Sequence, residues 1–323
     1  MQRGCHFARR AGKGGPSRAR VKVGAVAVAV ALATLGIGPA AAGDASAAST
    51  TTPTGVEIST TTTPFGTALV IGSGKFAGYT LYYLTFDHGT TYGCTSTPVN
   101  TAIGSILCAG PSGDNKAEWP GLTTVGTPVA GPGVTQSLLG TVKRSFGTQV
   151  TYAGHPLYLF DTGPGEVTGQ DFDEPDLPPW HGIWYLMSPS GQPLPWTGTL
   201  TTMDIAGETV LASQMLTLDG WVNFPVYSFS NDTPKHSACG NGACARQWPA
   251  VLTSGTPGVT NGVSAAKVST LVTPQGNQVT YNGQLIYLYA FEKVTVTSNG
   301  IFQAQGNGNG VETNFGTWNL VTP

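Results

Sequence analysis

The sequence predicts an all-β protein built from two tandem antiparallel β repeats, each of two hairpin units. They would pack sandwich-like or as a pseudo-fourfold, propeller-like ring. Residues 119–158 and 248–287 align without a gap at an offset of 129, and a long period of this kind marks a duplicated folding unit. Inside it runs a shorter period, Gly78-Tyr79-Thr80-Leu81-Tyr82, Gly154-His155-Pro156-Leu157-Tyr158, Asn223-Phe224-Pro225-Val226-Tyr227 and Gly283-Gln284-Leu285-Ile286-Tyr287. Each copy opens on a residue that accepts positive φ and runs into an apolar–Tyr strand. Helical 3.6-residue periodicity is hard to find beyond the first forty or so residues, and Gly, Thr, Ser and Pro abound.

Residues 1–47 read as a secretory signal peptide. Seven basic residues and no acid precede Val23–Gly38, an apolar run of 16 residues, and Ala40-Ala41-Ala42 and Ala45-Ser46-Ala47 follow as small-residue cleavage sites. The run is short for a membrane span, so no membrane association is expected after cleavage. Residues 48–65, rich in Thr with Pro53 and Pro64, read as a flexible linker. Repeat one is expected over 66–189, a Gly/Pro linker over 190–205 and repeat two over 206–323. In repeat two, Asn282-Gly283 is the favoured pair for a two-residue type I′ turn joining Gln278–Tyr281 to Leu285–Tyr289. Each quarter also ends in a tryptophan, Trp119, Trp184, Trp248 or Trp318.

Charge bounds the partners. Beyond residue 42 the chain carries 8 basic and 17 acidic residues, a net charge of −9, which argues against nucleic acid and anionic membrane surfaces. Four cysteines remain there, Cys94, Cys108, Cys239 and Cys244, two per repeat. An even number in an exported chain reads as two local disulfides. The alternative is metal or redox use of Cys239-x4-Cys244, but no C-x-x-C and no histidine at zinc-finger spacing accompanies it.

Three motifs carry a resemblance. Tyr227-Ser228-Phe229-Ser230-Asn231-Asp232, then Cys244-Ala245-Arg246-Gln247-Trp248-Pro249, then Gln149-Val150-Thr151-Tyr152-Ala153-Gly154-His155-Pro156-Leu157-Tyr158 resemble the bacterial "secreted repeat of unknown function" family. Its members are predicted lipoproteins with a Y-x-(F/W/Y)-x-x-D motif. The resemblance covers most of both repeats and implies an exported, envelope-associated protein, with no established activity. The lipobox is missing here, since Cys5 precedes the apolar run. The motif positions are Tyr82, Asp87, Trp119, Tyr158, Asp161, Trp184, Tyr227, Phe229, Asp232, Trp248, Tyr287 and Trp318. Three copies depart from the pattern: Leu84 replaces the aromatic, Asp161 comes too early after Tyr158, and Glu292 replaces the acid after Tyr287. Such tolerance favours a structural role.

The remaining candidates for chemistry have plainer readings. Asp171, Asp173, Glu174 and Asp176 offer hard oxygen ligands to Ca²⁺, but no EF-hand pattern is present, so a solvated loop is expected and no cofactor. His88, His155, His181 and His236 read as surface histidines rather than a copper or zinc site. Ser230, Asp232 and His236 supply residue types for hydrolysis without a G-x-S-x-G elbow. Exposed Tyr and Trp would stack on the sugars of a wall glycan, whereas strand aromatics at repeat positions are expected to fill the core. The expected function is an exported, non-catalytic envelope or extracellular binding or scaffold protein, its partner a cell-wall glycan or an envelope protein. A metal-binding or redox-accessory protein is the alternative, and a hydrolase comes third.

Overall fold

The computed structural model describes residues 55–101, 104–160, 163–170, 172–173, 181–217, 220–296, 302–313 and 316–323. The signal peptide, Asp161, Asp171, Glu174 and Asp176 lie outside them. The protein is all-β, with its strands in seven mostly antiparallel sheets among the described residues.

The Thr-rich segment is a strand from Glu57 onward, not a flexible stalk. Within Glu57–Thr63, residues from Ile58 onward pair with Gly66–Ile71, from Ile58↔Ile71 to Thr63↔Gly66. β-branched threonines suit a strand, and Ile58 anchors it with 0% exposure. The region 190–205 is likewise structured. It holds the strands Pro193–Leu194 and Thr199–Ile205, and the boundary expected at 206 falls in a hairpin turn before Glu208–Thr217. The structural repeats therefore begin at 57 and 199.

The central elements of the two repeats match, although repeat two carries a short helix, Gly242–Gln247, where repeat one has the hairpin Val99–Thr101 and Gly104–Ile106. Each opens with a long hairpin whose first strand also pairs in parallel with a short strand, at Glu57↔Val129 and Thr199↔Gly258. Each has a three-stranded meander, Leu139–Arg144, Gly147–Tyr152, His155–Pro156 in one and Val268–Thr273, Gly276–Tyr281, Gln284–Leu285 in the other. The second turn of each meander holds two residues of positive φ, Ala153 and Gly154 or Asn282 and Gly283, as a type I′ turn requires. Tyr82–Leu84 pairs with Ile183–Met187, as Tyr227–Phe229 pairs with Gly316–Leu320. The repeats share one eight-stranded sheet, in which Phe172–Asp173 lies between Ile183–Met187 and Glu208–Thr217.

A stacked tryptophan pair forms the centre of each repeat. Trp119 and Trp184 lie 3.8 Å apart at 6°, and Trp248 and Trp318 lie 3.9 Å apart at 4°. All four are at most 1% exposed. Glycine closes each pair, because a Cβ on Gly169 would meet Trp119 Cη2 at 2.5 Å, and one on Gly308 would meet Tyr227 at 2.8 Å and Trp248 at 3.0 Å. Neither glycine has a positive φ, so the requirement is one of space. Gly169→Ala and Gly308→Ala should each lower stability by about 1–3 kcal/mol through overpacking. Urea unfolding of the two variants measures this, and wild-type midpoints would contradict the closure.

Candidate functional site

The repeated motif forms a polar clamp around each tryptophan pair. Its first tyrosine meets an indole edge-on. Tyr158 lies 5.1 Å from Trp184 and Tyr287 lies 5.1 Å from Trp318, while Tyr82 and Tyr227 approach Trp119 and Trp248 at 5.5 and 5.4 Å. The aromatic two residues later extends the stack, with Phe160 on Trp119 at 4.4 Å, Phe229 on Trp318 at 4.4 Å and Tyr289 on Trp248 at 4.2 Å. Leu84 stands where Phe229 does and pairs with Trp184 in the strand ladder. Edge-to-face and offset stacked rings of this kind each add about 0.5–1.5 kcal/mol beyond burial.

The acid at the motif's end accepts from the tyrosine of the neighbouring copy. In repeat two the exchange is reciprocal: the Tyr287 hydroxyl donates to Asp232 Oδ2 at 2.7 Å, and the Tyr227 hydroxyl donates to Glu292 Oε2 at 2.5 Å. Glu292 thus works as the motif acid despite the sequence departure. In repeat one, Tyr158 donates to Asp87 Oδ2 at 2.5 Å. The reverse bond has no carboxylate partner there among the described residues, because Gly163 stands where Glu292 does.

Each carboxylate uses its other oxygen to hold the next loop. Asp87 Oδ1 accepts the Gly93 amide at 2.6 Å and the Cys94 amide at 3.4 Å. Asp232 Oδ1 accepts the Ala238 amide at 2.7 Å. Glu292 Oε1 takes the Gln305, Gly306 and Asn307 amides. In the first two cases that loop leads straight into a disulfide, Cys94–Cys108 or Cys239–Cys244. Closing loops with separations of 14 and 5 residues should stabilise the fold by about 3 and 2 kcal/mol.

Repeat one adds a cation that sequence reasoning missed. Arg144 donates to Gln149 Oε1 at 2.7 Å, to the Tyr158 hydroxyl at 3.1 Å and to the Cys94 carbonyl at 2.6 Å, and its guanidinium lies 3.7 Å over the Tyr92 ring. Repeat two has Thr273 there, and Gln275 Nε2 takes over the Cys239 carbonyl at 2.9 Å. Arg144 faces Thr273 at the offset of 129, but its neighbours Lys143, Ser145 and Phe146 also differ from Val272, Pro274 and Gln275, so the alignment does not single it out.

The remaining sequence candidates lie elsewhere. Asp173 sits in the strand Phe172–Asp173, and no group of three or more His, Cys, Asp or Glu is placed to hold a metal among the described residues. Ser230 Oγ accepts the Thr317 amide at 2.9 Å, and no hydrogen bond joins Ser230 to His236 among the described residues. His88 and His155 meet at 5.0 Å, with His155 Nδ1 on the Asp87 carbonyl at 2.9 Å.

A family model described as "Secreted repeat of unknown function" matches residues 140–175. That segment spans most of the first meander, Tyr158, Phe160 and the loop that carries Gly169, which is half of one tryptophan clamp. No curated protein and no solved structure matches the chain significantly.

Two neighbouring groups in this clamp titrate in opposite senses. Burial pushes the Asp87 carboxyl up to about 6, against the opposing pull of Tyr158, the Gly93 amide and Arg144. Burial holds the His155 imidazole down at about 4. A carboxyl that binds its proton more tightly when folded loses stability as pH rises from about 4 to 6. An imidazole that binds its proton less tightly gains stability between about 4 and 6.5. Each effect is worth about 3 kcal/mol at full extent, so the two largely offset each other. Asp87→Asn should make stability climb between pH 4 and 6.5. His155→Gln, which installs the residue repeat two carries as Gln284, should make it fall more steeply between pH 4 and 6. Urea midpoints at pH 4, 5, 6 and 7 test both, and two profiles parallel to wild type would refute the assignment.

Proposed function

We propose that the chain is an exported, non-catalytic protein that serves outside the cell as a binding or scaffold module of the envelope. The observation that carries this is the use made of the repeated polar residues. Asp87, Asp232 and Glu292 each hold a buried tyrosine with one oxygen and loop amides with the other. A group spent this way on bracing the fold has no open face for a substrate. The family description as a secreted repeat and two disulfides support an oxidising, extracellular setting. A mature net charge of −9 points away from nucleic acid and anionic lipid.

Native mass spectrometry and thiol labelling of protein collected from culture medium test this proposal. A new N-terminus near residue 43 or 48, two disulfides and no stoichiometric adduct are expected. Free thiols at Cys239 and Cys244, or one bound metal per chain, would defeat it in favour of a redox or metal-binding protein.

A further inference from the structure

The four motif tryptophans are buried, but Trp221 is 56% exposed and Trp196 is 39% exposed. The two rings face each other at right angles, their centroids 6.0 Å apart. Phe65 packs behind Trp196 at 4.9 Å, and the backbone there is fixed by the Ser254 amide on the Trp196 carbonyl at 3.1 Å. Together the rings wall a cleft of about 420 Å³ floored by Tyr185, Met215, Leu252 and Leu288. Its volume lies within the ordinary range of small-ligand sites, roughly 300–1,000 Å³.

The repeat architecture does not account for this cleft. Equivalent hydrogen bonds, Leu81 N–H to the Leu69 carbonyl and Val226 N–H to the Leu211 carbonyl, frame the same hairpin in the two repeats. Between them repeat two has three more residues, and its strand Glu208–Thr217 runs to ten residues where Gly66–Ile71 has six. That extension carries Gln214, Met215 and, on the returning strand, Trp221 opposite Leu216. Beside it Trp196, packed on Phe65, keeps 39% of its surface exposed, so two partly exposed indoles face the same cleft.

The rest of the lining specifies the ligand's chemistry. Thr197, Thr199, Ser213 and Gln214 supply hydroxyl and amide groups, which both donate and accept. Among the described residues no charged side chain lines the cleft, so an ionic ligand would be desolvated there without a counter-charge. A pyranose ring has an apolar face of C–H groups and a rim of neutral hydroxyls, matching an indole face beside uncharged hydrogen-bonding groups. We propose that the cleft binds a neutral pyranose oligosaccharide, with one sugar stacked on Trp221 and Trp196 closing the side. The proposal rests on the reading of the chain as an exported binding module and names its ligand class.

The test uses the processed full chain from culture medium, titrated with cellohexaose, chitohexaose and maltohexaose by calorimetry and tryptophan fluorescence. At least one should bind saturably with sub-millimolar affinity. Trp221→Ala should weaken it roughly tenfold or more at an unchanged Tm, Trp196→Ala should weaken it as much while the chain stays folded, and Trp221→Phe should retain most of it. Absence of binding to all three, or wild-type affinity in both alanine variants, would overturn the proposal. So would Trp221-dependent binding of anilinonaphthalene sulfonate without any sugar, which would mark an apolar ligand. These failures leave the disulfide and export results untouched. Cleavage of a bound oligosaccharide would refute the non-catalytic reading and leave the sugar site standing.

Discussion

The stacked tryptophan pair sets the terms for everything around it. Two coplanar indoles under 4 Å apart bury a large apolar area, but they must be held in register from their edges. Tyrosines do this, at 5.1 to 5.5 Å in both repeats. A tyrosine buried this deeply needs an acceptor for its hydroxyl, because an unmade bond costs about 1–3 kcal/mol. A buried carboxylate supplies the acceptor and in turn needs donors of its own, which the amides of the next loop provide. Two of those loops end on a disulfide cysteine. Indole, phenol, carboxylate, amide and cystine thus form one chain of dependence. Among the described residues the Trp184 and Trp318 indole N–H groups have no hydrogen bond, a cost accepted where burial outweighs it.

The two copies solve the carboxylate's problem differently, and exposure explains the difference. Asp87 is 0% exposed, so its surroundings must stabilise a charge that water cannot reach. Arg144 does so through Tyr158, which donates to the acid and accepts from the guanidinium. Asp232 is only partly buried, and the neutral Ser237 hydroxyl, 2.7 Å from that of Tyr287, suffices. His155 follows the same logic. It lies against the Asp87 backbone carbonyl, where repeat two carries the uncharged Gln284.

Much of the fold was legible in the sequence because turns and repeats leave local marks. Asn282-Gly283 announces its turn through backbone sterics alone, and the offset of 129 survives in the paired meanders. The threonine run at 57–63 misled because composition and propensity disagree there. Polar, Pro-flanked threonines resemble a linker, yet β-branching suits a strand once a partner exists, and its partner begins only three residues later. The division at 206 failed for a related reason, since a turn between two strands of one hairpin looks like a boundary between domains. The motif's tolerance pointed to structure, but the exchange of bonds between Tyr227 and Glu292 and between Tyr287 and Asp232 spans 65 and 55 residues. No local pattern reveals such a pairing.

Duplication also separates what the fold needs from what this chain adds. A residue found at equivalent places in both copies is explained by the clamp they share. A residue present in one copy alone either compensates for a local change, as Arg144 does for the deeper burial of Asp87, or serves another end. The extended hairpin of repeat two compensates for nothing that repeat one lacks. It carries an indole into solvent, and its strand Glu208–Thr217 also pairs with Phe172 of repeat one. The hairpin is therefore held from both sides of the molecule. Trp221 lies on the returning strand Gly220–Pro225, paired to that anchored strand, and a side chain on a hydrogen-bonded strand loses little freedom when a ligand covers it, so more of the contact energy remains for binding.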